Sequence, residues 1–268
     1  MADLSWINPE VIEKKEEWKR LFQETGELRI DNFLKDEKAE FFYQWFTHEM
    51  AEDWWYTATF GPEGHGNVDY TVARTARRGT KEEIEASDGP DLDNCHKVAH
   101  QKFSYIFDRS MQNHWEECDC PQCSLVKWLE GDCSKFMLEL IGYTEDQLKL
   151  TGTFLNRYRS GHFLAPHTDT PNGKIGQIYS MVKDWKPQYG GNLFYLNPDG
   201  EIREVIKPTF NRMSIFDTNL LPAHFVSHLS PYCPISRISA TGWYSRAAAM
   251  IEKAKAEAVL QIVEGDTR

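Results

Sequence analysis

The 268-residue sequence contains no long apolar run. Its apolar stretches, such as residues 136–141, are short, and none approaches the roughly 20 residues that a membrane-spanning helix needs. The first residues, Met-Ala-Asp-Leu-Ser-Trp, lack the basic and apolar regions of a secretory signal. These absences predict a protein without a membrane partner.

Basic residues are in the minority and cysteines are few. The chain has 30 Lys and Arg against 41 Asp and Glu, which gives a formal net charge of -11. Nonspecific binding to nucleic acid or to an anionic membrane needs a basic face, so the balance argues against both partners. Small molecules and polypeptides remain as substrates. Six cysteines without a signal peptide predict reduced thiols and a cytoplasmic location.

Apolar residues at 41% and aromatics at 13% are enough to form a sizeable core. Residues 1–150 show mainly helical patterns, including a helix from Asn8-Pro9 to Gly26, helical spacing over 98–107 and a capping box at 144–147. From Thr151 to residue 246, segments of four to eight residues alternate with Gly, Pro and Asn, which is typical of a β-sandwich or barrel. Residues 247–268 are Ala-rich and predict a C-terminal helix. We therefore expect one α+β domain spanning residues 1–268.

The stretch FLAPHTDTPNG contains the first candidate site. Residues i and i+2 of a strand point to the same side, so His167 and Asp169 present an imidazole and a carboxylate together. One further histidine would complete the two-nitrogen, one-oxygen facial set that suits non-haem Fe(II). The later stretch AHFVSHLS supplies His224 and His228 on one strand face, and the residues alone leave both open as that third ligand.

The final predicted strand, RISATGWY, places Arg237, Ser239 and Thr241 on one face. An arginine that faces the interior of a β-sandwich needs an anion, because burying an unpaired guanidinium is very costly. No acidic residue lies in this strand. A ligand carboxylate bound by the fork of guanidinium N–H groups would satisfy Arg237.

Four collinear stretches carry a family resemblance: RYRSGHFLAPHTDTPNG, VKDWKPQYGGNLFYLN, SIFDTNLLPAHFVSHLS and RISATGWYSR. Together they resemble the Fe(II)- and 2-oxoglutarate-dependent oxygenases, specifically the prolyl-4-hydroxylase-like branch. The resemblance covers about residues 151–246, with a weaker similarity in LRIDNFLKDEKAEFFYQWF. It implies a double-stranded β-helix, a cupin-like jelly-roll catalytic core, with residues 1–150 as helical support and substrate-side elements.

The resemblance also implies a ligand set and a reaction. The family motif falls on His167 and Asp169, and an aromatic at Phe216 followed eight residues later by a histidine favours His224 over His228 as the distal ligand. Arg237 matches the family's basic residue for the distal carboxylate of 2-oxoglutarate, with Tyr158 and Ser239 as candidate helpers. The implied cofactors are Fe(II), 2-oxoglutarate as co-substrate and O₂, with ascorbate as a candidate addition. The implied reaction is hydroxylation of an amino-acid-like substrate: a free amino acid, a natural-product precursor or a peptidyl residue such as proline.

A compact cysteine cluster lies outside these motifs. Cys118, Cys120 and Cys123 form a C-x-C-x-x-C pattern that is compact enough for structural zinc, with a further ligand from His114, Cys133 or Cys95. The other interpretation is a set of free thiols in a loop between helices.

Two further hypotheses concern the substrate side and the function class. The glycine-rich stretch 61–67 lacks the Lys-Ser/Thr of a phosphate loop and is interpreted as a lid over the active site. A different class of function, a non-catalytic cupin-like protein that binds a metal and a metabolite, shares the jelly roll and the metal histidines. Such a binding protein would not need Arg237 as part of an Arg-x-Ser-x-x-Gly-Trp motif.

Overall fold

Eleven antiparallel strands dominate the computed structural model, which describes residues 3–60, 104–110, 118–169, 172–221 and 223–246. Within those residues the strands are β1 (Glu27–Ile30), β2 (Trp55–Phe60), β3 (Tyr105–Ser110), β4 (Leu148–Tyr158), β5 (Phe163–His167), β6 (Ile175–Ser180), β7 (Leu193–Leu196), β8 (Ile202–Ile206), β9 (Arg212–Asp217), β10 (His224–Val226) and β11 (Arg237–Arg246).

Five α-helices accompany the strands in the described part of the chain. They are α1 (Pro9–Glu13), α2 (Lys15–Thr25), α3 (Asp36–Gln44), α4 (Pro121–Trp128) and α5 (Ser134–Ile141). Short π-helical turns, Trp45–Glu49 and Leu129–Cys133, follow α3 and α4. The predicted N-terminal helix is interrupted at Lys14, and Gly26 ends α2 in the left-handed conformation as expected.

The strands form one curled sheet in the order β1-β9-β6-β11-β4-β3-β5-β10-β7-β8, with β2 added beside β3. Because the sheet curls, its first and last strands meet through side chains. Arg29 of β1 donates two hydrogen bonds to the Glu204 carboxylate of β8, and the Tyr195 hydroxyl of β7 donates to Glu27 of β1 at 3.1 Å. This arrangement confirms the predicted jelly roll.

The two faces of the sheet follow the strand period of two. On β9, Met213 and Ile215 are fully buried and belong to the main hydrophobic cluster formed with the helices. The alternate residues Ser214 and Phe216 face the interior of the curled sheet and line a cavity. One face of β9 therefore packs against the helices, and its other face lines the candidate site.

The prediction for residues 1–150 needs two corrections. Residues 105–107, expected to be helical, belong to β3, because alternate aromatic and apolar side chains pack between β2, β4 and β5. Residues 144–147 form a turn: the Gln147 side chain accepts from the Thr144 backbone, but Leu148 immediately begins β4. The predicted lid at 61–67 and the C-terminal helix at 247–268 lie outside the described residues, and the single-domain assignment stays a prediction.

A buried asparagine links the N-terminal segment to the sheet. Asn211 adopts φ 54°, a left-handed conformation that asparagine tolerates better than most residues. Its side chain donates to the Leu34 carbonyl at 2.8 Å and accepts from the Leu34 N–H at 2.9 Å and the Tyr179 hydroxyl at 3.0 Å. All three partners are buried, so the amide satisfies groups that water does not reach.

We expect Asn211→Ala to lower the free energy of unfolding by on the order of 3 kcal/mol, because it leaves buried polar groups without partners and places alanine at a positive φ. Urea denaturation followed by circular dichroism measures the change. Asn197→Ala, at an exposed position, is the matched control and should leave the free energy nearly unchanged. Equal effects of the two substitutions would contradict the role assigned to Asn211.

Candidate active site

Strand pairing brings together residues that are 57 positions apart in the sequence. β10 pairs with β5 in a register that sets His224 opposite His167, and the two imidazole centroids are 4.4 Å apart. Asp169 follows β5 by two residues. One ligand atom from each of the three side chains lies within 4.8 Å of the others, so the structure places all three predicted ligands in one cluster.

The Asp169 carboxylate lies between the two imidazoles. Its Oδ1 is 3.4 Å from His167 Nε2, and its Oδ2 is 3.4 Å from His224 Nε2. His167 Nδ1 lies 2.9 Å from the Ala165 carbonyl oxygen, which only accepts, so this ring nitrogen carries the hydrogen. Nε2 is therefore the ring nitrogen that faces the cluster and that a metal ion could bind.

Electrostatics in this cluster favour a cation. Burial by itself would raise the pKa of the Asp169 carboxyl, but the His167 and His224 side chains outweigh that effect and hold the pKa well below its usual range. The carboxylate is therefore charged at neutral pH. Two imidazole nitrogens and one carboxylate oxygen are the donor set of a non-haem Fe(II) site, so the residues fit the implied metal.

Asn172 contacts the cluster, although the sequence analysis did not single it out. Its side chain donates to Asp169 Oδ1 at 3.1 Å, and its backbone N–H donates to the Asp169 carbonyl at 2.9 Å. Next to it, a Cβ added to Gly173 would lie 2.8 Å from Trp243 Cβ. Asn172 therefore orients the carboxylate, and an amide three residues after a ligand is the signal that could have identified it.

His228 does not join the cluster. It is exposed, and its ring stacks on Phe163 with centroids 4.4 Å apart. The sequence alone leaves both histidines as candidates for the third ligand. In the structure β10 ends at Val226, so His228 lies outside the strand that carries His224. Geometry therefore favours His224.

Arg237 lies at one wall of an interior cavity. Only 8% of the residue is exposed, and its buried Nε has no hydrogen-bond partner in the described structure. Burial lowers the pKa of the guanidinium, and the group contacts the Tyr158 ring at 5.0 Å. A buried, positively charged donor without a carboxylate needs an anion in this cavity.

The cavity beside Arg237 is bordered by two aromatic residues that also contact the histidine cluster. Tyr195 and Phe216 line it, and their rings also pack edge-on against His224 with centroids 6.0 and 6.1 Å away. Ser180 and Ser214 add hydroxyls to the wall. Arg237 and these hydroxyls therefore offer hydrogen-bond donors to an anion in the cavity.

The two predicted helpers occupy different environments. Tyr158 is buried beside Arg237. Burial raises the pKa of the phenol to about 12, with Arg237 lowering it and Asp169 raising it. The Arg237 guanidinium lies 5.0 Å from the centre of this ring. Ser239 instead donates to Asn156 Oδ1 at 2.6 Å, and Asn156 in turn donates to Thr241. Both remain predictions as co-substrate contacts, and Ser239 is not part of the cavity wall.

The comparisons with known proteins bear on this site. Residues 153–245 match the family model described as the 2OG-Fe(II) oxygenase superfamily, a range that contains all three clustered ligands and Arg237. This segment is therefore similar to the 2-oxoglutarate-dependent dioxygenases, as the sequence resemblance implied. None of the curated proteins matches the sequence significantly.

Solved structures support the fold assignment. A Trichoplax adhaerens prolyl hydroxylase, solved with a hypoxia-inducible-factor peptide fragment, has a TM-score of 0.53 at 16% identity, covering 89% of this chain and 94% of that one. A Burkholderia pseudomallei oxidoreductase of the 2OG-Fe(II) oxygenase family has a TM-score of 0.53 at 13% identity, covering 87% and 91%. At these identities the likeness concerns the fold. In the described residues, no helix is both long and apolar enough to cross a membrane.

We expect His224→Ala to weaken Fe(II) binding at least about 100-fold, because it removes one of three donors and leaves Asp169 without its second imidazole. Anaerobic Fe(II) titration of the purified variants measures the affinity. His228→Ala is the matched control, since it removes a histidine four residues away that stacks on Phe163, and it should bind Fe(II) as the unmodified chain does. The reverse result would assign the ligand role to His228.

Proposed function

We propose that the chain is a hydroxylase that binds Fe(II) through His167, Asp169 and His224 and binds 2-oxoglutarate in the cavity, with its distal carboxylate on Arg237. One observation supports this most directly: a buried arginine lacking an anionic partner faces a cavity whose Tyr195 and Phe216 also contact His224. A metal-ligand group at one place and an arginine that binds a carboxylate at another suit a co-substrate that has a keto-acid group at one end and a carboxylate at the other.

The bound iron would supply the oxidising chemistry of the family, in which 2-oxoglutarate, O₂ and a C–H bond give succinate, CO₂ and an alcohol. The chain's residues have simpler tasks. Asn172 and the Ala165 carbonyl orient two of the ligands, and Arg237 holds the far end of the co-substrate. Phe216 and Tyr195 provide an apolar wall that limits water near His224.

The substrate that we propose is amino-acid-like, as a free amino acid, a natural-product precursor or a residue such as proline within a peptide. The family assignment rests on the iron and co-substrate region. The Trichoplax structure was solved with a peptide bound, so this fold is compatible with a polypeptide substrate. Ascorbate, as a reductant that keeps iron in the ferrous state, and a cytoplasmic location complete the proposal. All five cysteines in the described structure are free thiols, which agrees with a reducing compartment.

We expect Arg237→Gln to raise the KM for 2-oxoglutarate about 10- to 100-fold, because a charge-assisted pair contributes roughly 1.5–3 kcal/mol. Succinate release in the presence of Fe(II) and ascorbate measures the effect. Arg246→Gln, at the exposed end of the same strand, is the matched control and should leave the KM unchanged. Arg237→Lys should recover part of the loss. An unchanged KM in Arg237→Gln would contradict the assigned contact.

A panel of amino acids and peptides, analysed by mass spectrometry, tests the reaction type. We expect a gain of one oxygen in a substrate that also increases succinate release, and no product from Asp169→Ala. Arg246→Gln again provides a control with the catalytic cluster intact. Binding of 2-oxoglutarate without succinate formation, with or without any member of the panel, would support the non-catalytic cupin-like alternative.

A further inference from the structure

A second group of metal-ligating side chains lies outside the active site. Cys118, Cys120 and Cys123 are free thiols whose sulfur atoms all lie within 4.8 Å of one another. Cys118 and Cys120 are partly exposed, whereas Cys123 is buried. None of the three contributes to the oxygenase chemistry proposed above.

The turn that begins α4 brings these thiols together. Cys120 is the N-cap, Pro121 follows at the first helical position, and Cys123 lies in the first turn. The Cys123 N–H donates to Cys120 Sγ at 3.4 Å, and the Cys120 N–H donates to Cys118 Sγ at 3.5 Å. Ser, Thr, Asp and Asn are the usual N-caps, so a thiol here is an unusual choice for capping alone.

The local electrostatics differ among the three sulfurs: hydrogen bonds from Cys120 lower the pKa of the Cys118 thiol, whereas burial raises the pKa of the Cys120 thiol. Two backbone N–H groups point at them, and the helix N-terminus contributes partial positive charge. Lys127 donates to the Cys118 carbonyl at 2.8 Å and lies close to that residue. Burial nevertheless raises the pKa of the Cys123 thiol, so an isolated thiolate there is costly. A bound cation would remove that cost.

The spacing suits a tetrahedral metal ion. With Zn–S bonds of about 2.3 Å, two sulfurs on a tetrahedron lie roughly 3.8 Å apart. The three sulfur atoms now lie no more than 4.8 Å apart, so each pair needs to approach by about 1 Å at most. Rotation about the side-chain bonds of the partly exposed Cys118 and Cys120 can provide that movement.

We propose that Cys118, Cys120 and Cys123 form a thiolate site for one Zn(II) ion, separate from the histidine cluster, that fixes the start of α4. Soft thiolates favour Zn(II), whereas the imidazole and carboxylate set favours Fe(II), so the two sites differ in the metal they select. Cys133, one of the candidate fourth ligands, is fully buried in the main hydrophobic cluster and lies outside this group. His114 and Cys95 are outside the described residues. Water completes the tetrahedron in this proposal.

The ion would act on the packing of α4. Trp128, at the end of this helix, packs against Trp6 with ring centroids 5.0 Å apart, and its indole N–H donates to the Asp3 carbonyl at 3.2 Å. Leu125 is fully buried in the same core. Fixing the first turn of α4 therefore stabilises the contact between this helix and the N-terminal segment.

Cobalt titration tests the site with a readout that does not depend on enzyme activity. The full chain is reduced, depleted of metal with a chelator and titrated anaerobically with Co(II), and the thiolate-to-cobalt charge-transfer absorption is recorded. We expect the band to saturate at one equivalent both in the unmodified chain and in His167→Ala, and one equivalent of Zn(II) to abolish it. Loss of the active-site histidine thus leaves this signal intact, which separates the zinc proposal from the oxygenase proposal.

Cys118→Ser is the informative variant, because Cys118 precedes α4 and is partly exposed, so the fold should persist by circular dichroism. We expect it to weaken Co(II) binding at this site by about 100-fold or more. Substituting a residue that only supports a metal ligand already costs about 10- to 100-fold in affinity, and Cys118 is proposed as a ligand itself. Cys233→Ser removes a partly exposed thiol elsewhere and should leave the band unchanged. Absence of the band in the unmodified chain, its persistence in Cys118→Ser, or failure of Zn(II) to displace cobalt would overturn the proposal.

Discussion

The side-chain contacts between the first and last strands of the curled sheet are the constraint on which the candidate site depends. Arg29 bonded to Glu204, and Tyr195 bonded to Glu27, bring β7 and β8 across to β1 where no backbone ladder joins them. Tyr195 is then directed into the interior beside His224. Without this closure the strand that carries Tyr195 and the strand that carries Arg237 would not line a common cavity.

Within the curled sheet, one register determines the geometry of the cluster. A slip of β10 by one residue would turn His224 to the opposite face and bring Phe225 toward Asp169. Packing protects that register: Phe225 stacks on Phe194 of β7 with centroids 4.7 Å apart, and Val226 is buried. Apolar contacts of Phe225 and Val226 therefore keep the metal-ligating side chains in register, and the polar Asn172 orients the Asp169 carboxylate.

The sequence was most informative where chemistry demands particular residues at particular spacings. His167, Asp169 and Arg237 could be selected because an H-x-D triplet, later histidines and an arginine on an interior strand face occur together in collinear family-like motifs. The strand rhythm after Thr151 predicted a β-sandwich or barrel, and the resemblance implied the jelly roll. Local patterns were insufficient for β3, since its pairing with β2, β4 and β5 overrides its helical spacing. The role of Asn172 depends on a contact across a turn, and the choice between His224 and His228 depends on where β10 ends.

Arg237 imposes a conflict between function and stability. Its guanidinium is removed from water with no carboxylate partner among the described residues, so the fold carries the cost of a buried charge. An apolar side chain of similar size would relieve this cost and yield a more stable protein. That protein would have lost the residue that binds the anion. A co-substrate carboxylate bound at Arg237 would then also stabilise the fold, since it would supply a partner that the described residues do not. Variants selected for thermal tolerance alone would therefore tend to lose this arginine first.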